Sequence, residues 1–375
     1  MEYELGELLS YKQPTDYIVK STDYDYSYNT PVLTAGKSFI IGYTNEKTGI
    51  FSNLPVIIFD DFTTSSQYVD FPFKVKSSAM KILSCNNKIA DLKYLFYKMQ
   101  TIQFDSSNHK RYWISEYSKI KLELPTLAEQ QRIVNRIESM FAKLDEAKEK
   151  AQNVVDGFET RKAAILHKAF TGELTAKWRK ENGVSDDSWE EKRFGEVADI
   201  KSNLVDIAEY RDFPHIAPDN IEKKTGILLE YHTVEEDKVT SGKHRFYAGQ
   251  ILYSKIRPYL SKVIIVDFDG VCSADMYPIE AKGNTRFLWY QMLSNEFLDK
   301  ASNSGSRSVL PKINQKELSV IPMQICSLPE QVEIVRILDI IIEKENKAKQ
   351  AAEAVLEQID LLKKSILARA FHGEL

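Results

Sequence analysis

Cysteine is scarce. There are three in 375 residues, Cys85, Cys272 and Cys326, far apart and without metal-ligand spacing. That excludes a disulfide scaffold and a cysteine-type zinc site, and it reads as reduced, mostly buried thiols of a cytoplasmic protein. The six histidines include no i, i+4 pair to hold a metal; His167 and His372 fall near expected helix C-termini, where they serve the helix ends. There is no Gly-x-x-x-x-Gly-Lys-Ser/Thr loop, no glycine-rich strand-to-helix turn and no Asn/Asp-Pro-Pro-aromatic element, so nucleotide binding by those devices is excluded. No apolar run approaches the ~20 residues of a membrane span. The first residues, MEYELGELLSYKQPTDY, are acidic and polar, unlike a signal peptide. Excess positive charge is also missing. Lys and Arg number 50 against 54 Asp and Glu, so any nucleic-acid contact must use local basic patches. Asp267 or Asp275 with Glu280-Ala281-Lys282 superficially matches the acid pair and lysine of a metal-dependent nuclease. Their strand-turn pattern and the turn-like Lys282-Gly283-Asn284 favour an ordinary structural reading.

What the chain does have is a repeat. PTLAEQQRIVNRIESMFAKLDEAKEKAQNVVDGFETRKAAILHKAFTGEL, residues 125–174, returns in divergent form as CSLPEQVEIVRILDIIIEKENKAKQAAEAVLEQIDLLKKSILARAFHGEL, residues 326–375. The two copies stay 201 residues apart without a gap, from Glu129 and Glu330 to Leu174 and Leu375. Self-similarity of this kind outranks any single motif as a guide to architecture.

Each copy predicts one long helix. Thr126-x-x-Glu129 and Ser327-x-x-Glu330 fit capping boxes. Pro329 suits a first turn, and Gly172 and Gly373 suit the left-handed position after a helix end. Apolar residues follow a 4-3 spacing: Ile133, Ile137, Met140, Leu144, Ala147, Ala151, Val154, Phe158 and Ile165, then Ile334, Leu338, Ile341, Ala348, Ala352, Val355, Ile359, Leu362 and Ile366. That period makes a narrow coiled-coil seam, which Arg161 and Glu345 interrupt. At ~1.5 Å per residue each helix is roughly 60–65 Å long, too long for one small domain. The pair therefore reads as a rod between two globular units; the plainer alternative is two amphipathic helices in separate cores.

The expected organisation is a first globular unit at 1–124, a long helix at 125–174, a polar linker at 175–188, a second globular unit at 189–324 and a second long helix at 325–375. Strands are expected at Ser38–Tyr43, Val56–Phe59, Phe71–Val75, Ile251–Ile256 and Lys262–Phe268, and helices at Ala90–Gln100 and Thr285–Ala301. The two units share a weak outline. Ile57–Asp61 resembles Ile264–Asp269, and Ser78-Ala79-Met80 resembles Ser273-Ala274-Asp275-Met276. Similar rods with diverged heads suggest a common frame carrying two different readers.

At this point the chain resembles the specificity subunit of type I restriction-modification enzymes. The carriers are LPTLAEQQRIVNRIE with KAAILHKAFTGELTAKWR, and LPEQVEIV with KKSILARAFHGEL. VLTAGKSFIIGY, IIFDDFTT and FPFKVKSSAMKIL resemble one type of target recognition domain; ILYSKIRPYLSKV, DGVCSADMYPIE and LPKIN resemble another. The resemblance spans essentially the whole chain. It departs at the first head, which is short and has no Trp corresponding to Trp189. It implies an α+β fold: two globular mixed α/β target recognition domains separated by an antiparallel coiled coil, with a pseudo-two-fold internal repeat. It also implies that each head reads half of a bipartite site on double-stranded DNA and that the rods set the spacing. Two methyltransferase subunits would dock on the chain, and motor-nuclease subunits would join them. The chain itself would be non-catalytic, with S-adenosylmethionine, ATP and Mg held by partner subunits.

A ~60 Å rod spans somewhat under two turns of B-DNA, so two heads could each reach a major groove. Reading bases then needs side chains at base edges, with Lys and Arg on phosphates. Candidates in the first head are Thr63 and Thr64 in a polar loop, Lys74, Lys76, Ser78 and Lys81 around a strand end, and Lys110 and Arg111 beside His109. In the second head they are Tyr253, Lys255, Arg257, Tyr259 and Lys262, with Asn303, Arg307 and Lys312 in and beside a polar loop. For each, the competing reading is solvated surface. Glu129, Gln130, Phe170, Glu330, Gln331 and Phe371 either cap and pack the rods or form two matching surfaces for two identical partners. A scaffold whose heads bind protein rather than DNA is the alternative.

Overall fold

The computed structural model describes residues 2–36, 38–107, 110–303 and 311–375. The chain forms two compact units, one from 1–152 with 353–375, the other from 153–352.

Unit one opens with β1 (Glu2–Glu4), α1 (Leu5–Leu8) and β2 (Leu9–Lys12), then β3 (Thr30–Leu33), β4 (Ile40–Thr44), β5 (Val56–Asp60), β6 (Ser66–Val69), β7 (Lys74–Val75) and β8 (Met80–Cys85). Helix α2 (Leu92–Met99), β9 (Lys121–Glu123) and α3 (Leu127–Asp156) follow. Its main sheet has the order β2-β8-β5-β6, all antiparallel. The β5 segment VIIFD is β-branched and aromatic, and Val56 to Phe59 are all buried. A smaller sheet, β4-β3-β7, includes the parallel pair β3/β7, and β1 pairs with β9.

Unit two holds α4 (Phe158–Phe170), α5 (Ala176–Asn182), β10 (Glu190–Arg193), α6 (Phe194–Val197), β11 (Ala198–Ile200), β12 (Leu204–Val205), β13 (Pro214–Ile216), β14 (His232–Thr233), β15 (Lys243–Phe246), β16 (Ile251–Ser254), β17 (Val263–Ile265), β18 (Gly270–Cys272) and β19 (Met276–Ala281). Then come α7 (Thr285–Met292), α8 (Asn295–Asn303), α9 (Gln315–Ser319), β20 (Pro322–Ile325) and α10 (Leu328–Phe371). Its main sheet runs β11-β19-β16-β17, strand for strand the order of unit one. The second sheet, β12-β15-β18-β13-β14, again contains one parallel pair, β13/β18.

The repeat therefore extends through both heads, but not in the register read from the sequence. The Ser78-Ala79-Met80 and Ser273–Met276 segments do correspond, but Ser77 rather than Ser78 stands where Ser273 does: in each, that serine hydroxyl accepts an amide two residues on and a methionine starts the strand. Ile57–Asp61 matches the strand Ile251–Ser254 by sheet order, not Ile264–Asp269. Apolar runs alone cannot tell adjacent strands of one sheet apart.

The long helices pair antiparallel inside each unit. In unit one, Ile133, Val134 and Ile137 share a core with Leu367 and Ala370, and further along Asp145 meets Lys363 at 2.6 Å. In unit two, Leu166 and Phe170 share a core with Ile334 and Leu338, while Arg161 meets Glu345 at 2.7 Å. The seam differs from the expected one in α10. Ala352 and Ile359 are buried, but Val355 and Leu362 face solvent, with Leu356 and Lys363 half-buried in their place. The two residues that broke the pattern form a pair in the seam.

The first rod is also not one helix: α3 ends at Asp156 and α4 begins at Phe158, with Gly157 between. The Arg161 guanidinium donates to the Val154 carbonyl at 2.9 Å, a side-chain insertion of the kind that kinks helices. Gly172 and Gly373 take the expected left-handed φ, 80° and 77°. Residues 175–188 are not a plain linker, since they contain α5 and a short 3-10 turn. The helix expected at 285–301 breaks at Leu293-Ser294 into α7 and α8. Burial pushes the Cys85 thiol up to about 11, and the thiols of Cys272 and Cys326 also rise by burial, which disfavours the thiolate.

Candidate nucleic-acid interface

Three separate stretches of unit one meet at Asp61. Its amide donates to the Ala79 carbonyl at 2.9 Å, and its carbonyl accepts from the Tyr112 amide at 2.9 Å. Its carboxylate accepts from the Trp113 amide at 2.8 Å and lies 3.2 Å from the Lys81 ammonium. The hairpin tip after β5, the turn before β8 and the 110–113 segment thus form one surface.

The tip is itself locked. The Asp60 carboxylate accepts from the amides of Phe62 and Thr63 at 2.8 and 3.0 Å, and Thr64 holds a left-handed φ of 58°. Thr63, Lys76, Ser78, Lys110 and Arg111 are exposed and Thr64 is half-buried. The Arg111 guanidinium sits 5.9 Å from the centre of the Phe62 ring, and Lys110 pairs with Glu116.

Two lysines of that group have other tasks. Lys74 is 1% exposed; its ammonium donates to the carbonyls of Thr48 and Gly49 and lies 3.1 Å from Glu46. It staples the Asn45–Gly49 turn. Burial raises the Glu46 carboxyl, but the Lys20 amide, the Lys74 ammonium and the Ser21 amide outweigh it and hold the group below its usual value. Lys81 is as buried as Asp61, both 1% exposed. Neither ammonium lies on a surface a ligand reaches.

In unit two, Lys255 and Lys312 gather around Asp275. Lys312 is 3.1 Å and Lys255 4.0 Å from its carboxylate. Arg257, exposed and left-handed at φ 48°, donates its amide to the Pro311 carbonyl. Tyr259 is exposed, as is Asn303 at the end of α8. Lys262 donates to the Pro218 carbonyl at 2.7 Å. Tyr253 is a correction: it points into the core against Phe297, as expected for an apolar position of a central strand. Arg307 and His109 lie outside the described residues.

One group was missed. Arg245 on β15 stands within 4.9–5.1 Å of the ring centres of Tyr210, Phe213 and Tyr247 and 3.5 Å from Asp269. The signal was the alternating basic and aromatic run Lys243–Tyr247. Nearby, burial and the Lys255 ammonium lower the proton affinity of the His244 imidazole. Of the acids and lysine that suggested a nuclease, Glu280 pairs with Lys201 at 2.9 Å, Lys282 with Asp199 at 3.1 Å and Asp275 with Lys312, while Asp267 is exposed. Among the described residues no group of three metal-ligating side chains is placed to hold an ion, and no helix is long and apolar enough to cross a membrane.

The repeated motif residues prove to be joints. Gln130 accepts the amide of Asp91, which caps α2, and donates to the Pro125 carbonyl; Gln331 accepts the amide of Asn284, which caps α7, and donates to the Cys326 carbonyl. Phe371 meets Tyr94 edge-on at 5.3 Å, and Phe170 meets Phe287 at 5.4 Å. Glu129 and Glu330 part company. Glu129 pairs with Arg132 at the surface, whereas fully buried Glu330 takes Arg179 and Thr175 at 2.7 Å and Trp189 at 3.2 Å. Neither carboxylate closes the expected capping box. Gln130, Phe170, Glu330 and Gln331 are therefore buried structure rather than docking surface. Apolar side chains that do face solvent include Leu127 and Leu328, identical at the same place in the two copies, and Val355, Leu361 and Leu362 on α10.

The sequence profile described as the type I restriction modification DNA specificity domain matches residues 1–155 and 186–358. The chain is 41% identical over 281 residues to the EcoDI specificity subunit of Escherichia coli, covering 69% of this chain and 63% of that protein, so it spans under two thirds of that relative. It is 32% identical over 367 residues to the EcoR124I/EcoR124II specificity subunit of the same species, covering 89% of this chain and 85% of that one. Its fold is similar to the crystal structure of the HsdS subunit from Thermoanaerobacter tengcongensis, with TM-score 0.64, 16% identity and coverage of 100% and 97%. Two matched profile segments, one for each of two heads with the same sheet order, place the chain in the type I restriction modification DNA specificity domain family.

Proposed function

We propose that the chain is the DNA-recognition subunit of a type I restriction-modification assembly, each head reading one half of a bipartite duplex site. The observation that carries this is one scaffold used twice with different surface chemistry. The strand orders of the main sheets and the glutamine joints match, while the loops beyond the strands carry unrelated groups: Thr63, Ser78 and Arg111 in one head, Arg257, Tyr259 and Lys312 in the other. A common frame with divergent loops is the economical way to read two half-sites, because base contacts come from loop side chains while the frame fixes their register.

On this reading the subunit performs no chemistry. Two methyltransferase subunits dock on it, motor-nuclease subunits join, and S-adenosylmethionine, ATP and Mg are held by those partners in the cytoplasm. The matched, exposed Leu127 and Leu328 supply the twice-presented apolar contact that two identical partners require. The paired helices set the spacer between half-sites.

The test is methylation of a random-sequence duplex library by the chain in complex with its methyltransferase partner. A split consensus is expected. A complex that methylates without sequence preference, or that binds duplex without the steep salt dependence of phosphate contacts, would favour a protein-binding scaffold instead.

A further inference from the structure

We infer that Asp61 and Lys81 are the positioning pair of the first reader, holding its three loops as one face without touching the nucleic acid. The inference rests on the proposed DNA-reading role. A fully buried ion pair is a weak source of stability, because desolvation offsets its attraction and apolar replacements of the same size are often as stable. What it supplies is geometry. Asp61 links the strand β5, the turn that carries Ser78 and the segment that carries Arg111, through its amide, its carbonyl and both carboxylate oxygens. Lys81, from the neighbouring strand β8, fixes the carboxylate, and its ammonium also lies 5.4 Å from the centre of the Tyr11 ring.

The second head has a looser link at the matching strand end, with the base after the strand and the acid in the facing turn. Lys255 follows β16 as Asp61 follows β5. Its amide donates to the Asp275 carbonyl and its carbonyl accepts from the Ile313 amide, each at 2.9 Å, while its ammonium faces the Asp275 carboxylate. Both heads thus tie the residue after the strand to two other segments through its amide and carbonyl, and only the first head adds a fully buried ion pair to those ties.

The experiment uses the full chain in complex with the methyltransferase partner on a random-sequence duplex library, and reads discrimination at each position of both half-sites. Wild type must first show a split consensus; if it does not, the DNA-reading proposal fails, not this one. D61N keeps an acceptor for the Trp113 amide but loses the charge that holds Lys81. It should lower discrimination in one half-site about tenfold or more, within the range of a lost base contact, and leave the other half-site unchanged. K81R should preserve discrimination. D61N/K81M, which removes both charges, should regain thermal stability without regaining discrimination. Wild-type discrimination in that stable double variant, or equal loss at both half-sites for D61N, would overturn the assignment.

Discussion

The same position of the repeat, occupied by the same residue, should respond very differently to the same substitution. Glu330 is fully buried; one carboxylate oxygen receives the Arg179 guanidinium, the Thr175 hydroxyl and the Trp189 indole, while the other has no partner among the described residues. Removing one member of a buried ion pair costs about 3–5 kcal/mol. Glu330→Ala should fall near the low end, because Arg179 keeps Asp186 at 3.0 Å and the Gly172 carbonyl at 2.8 Å. At about 2–4 °C per kcal/mol for a unit of this size, ~3 kcal/mol lowers Tm by roughly 6–12 °C. Glu330→Gln keeps an acceptor for one donor and should lose about half as much. Glu129→Ala removes only a surface pair with Arg132 and should leave Tm unchanged. Differential scanning calorimetry measures all three. Hydrogen exchange localises the loss: amides of 172–189, the segment folded over Glu330, should open first in Glu330→Ala. Equal shifts for the two alanine variants, or protection of that segment unchanged in Glu330→Ala, would refute the reasoning.

Other outcomes follow from the same geometry. Gln130→Ala and Gln331→Ala each free a half-buried helix-cap amide and should cost about 1 kcal/mol in urea unfolding. Arg161 and Glu345 are only half-buried in the seam, so Glu345→Leu should change stability by no more than about 1 kcal/mol in urea unfolding. Glu46 has its folded-state pKa held below the usual 4.5, so it binds its proton later than the unfolded chain does. Its contribution is fully present above that value and is lost as pH falls through the folded value; Glu46→Gln should flatten the acid limb of the stability curve of unit one. Deleting two heptads from one long helix removes about 21 Å of rise. It should shorten the spacer between half-sites by about six base pairs or abolish recognition, and a full-strength site of unchanged spacing would contradict the ruler.

The amino-acid order alone determined the repeat, because a constant separation of 201 residues and a 4-3 apolar period are properties of spacing and need no coordinates. It also determined the helix ends at Gly172 and Gly373, since the left-handed backbone there favours a residue without a side chain. Tertiary structure decided which charges stay at the surface. Lys74 and Lys76 look alike in the sequence, yet the first lies in β7, buried against Glu46, while the second comes after the strand has ended and is exposed. It also decided that Arg161 meets Glu345 and that Gln130 and Gln331 are joints rather than docking points, because a partner far away in the chain is set by how helices and sheets pack, and local spacing carries no record of it.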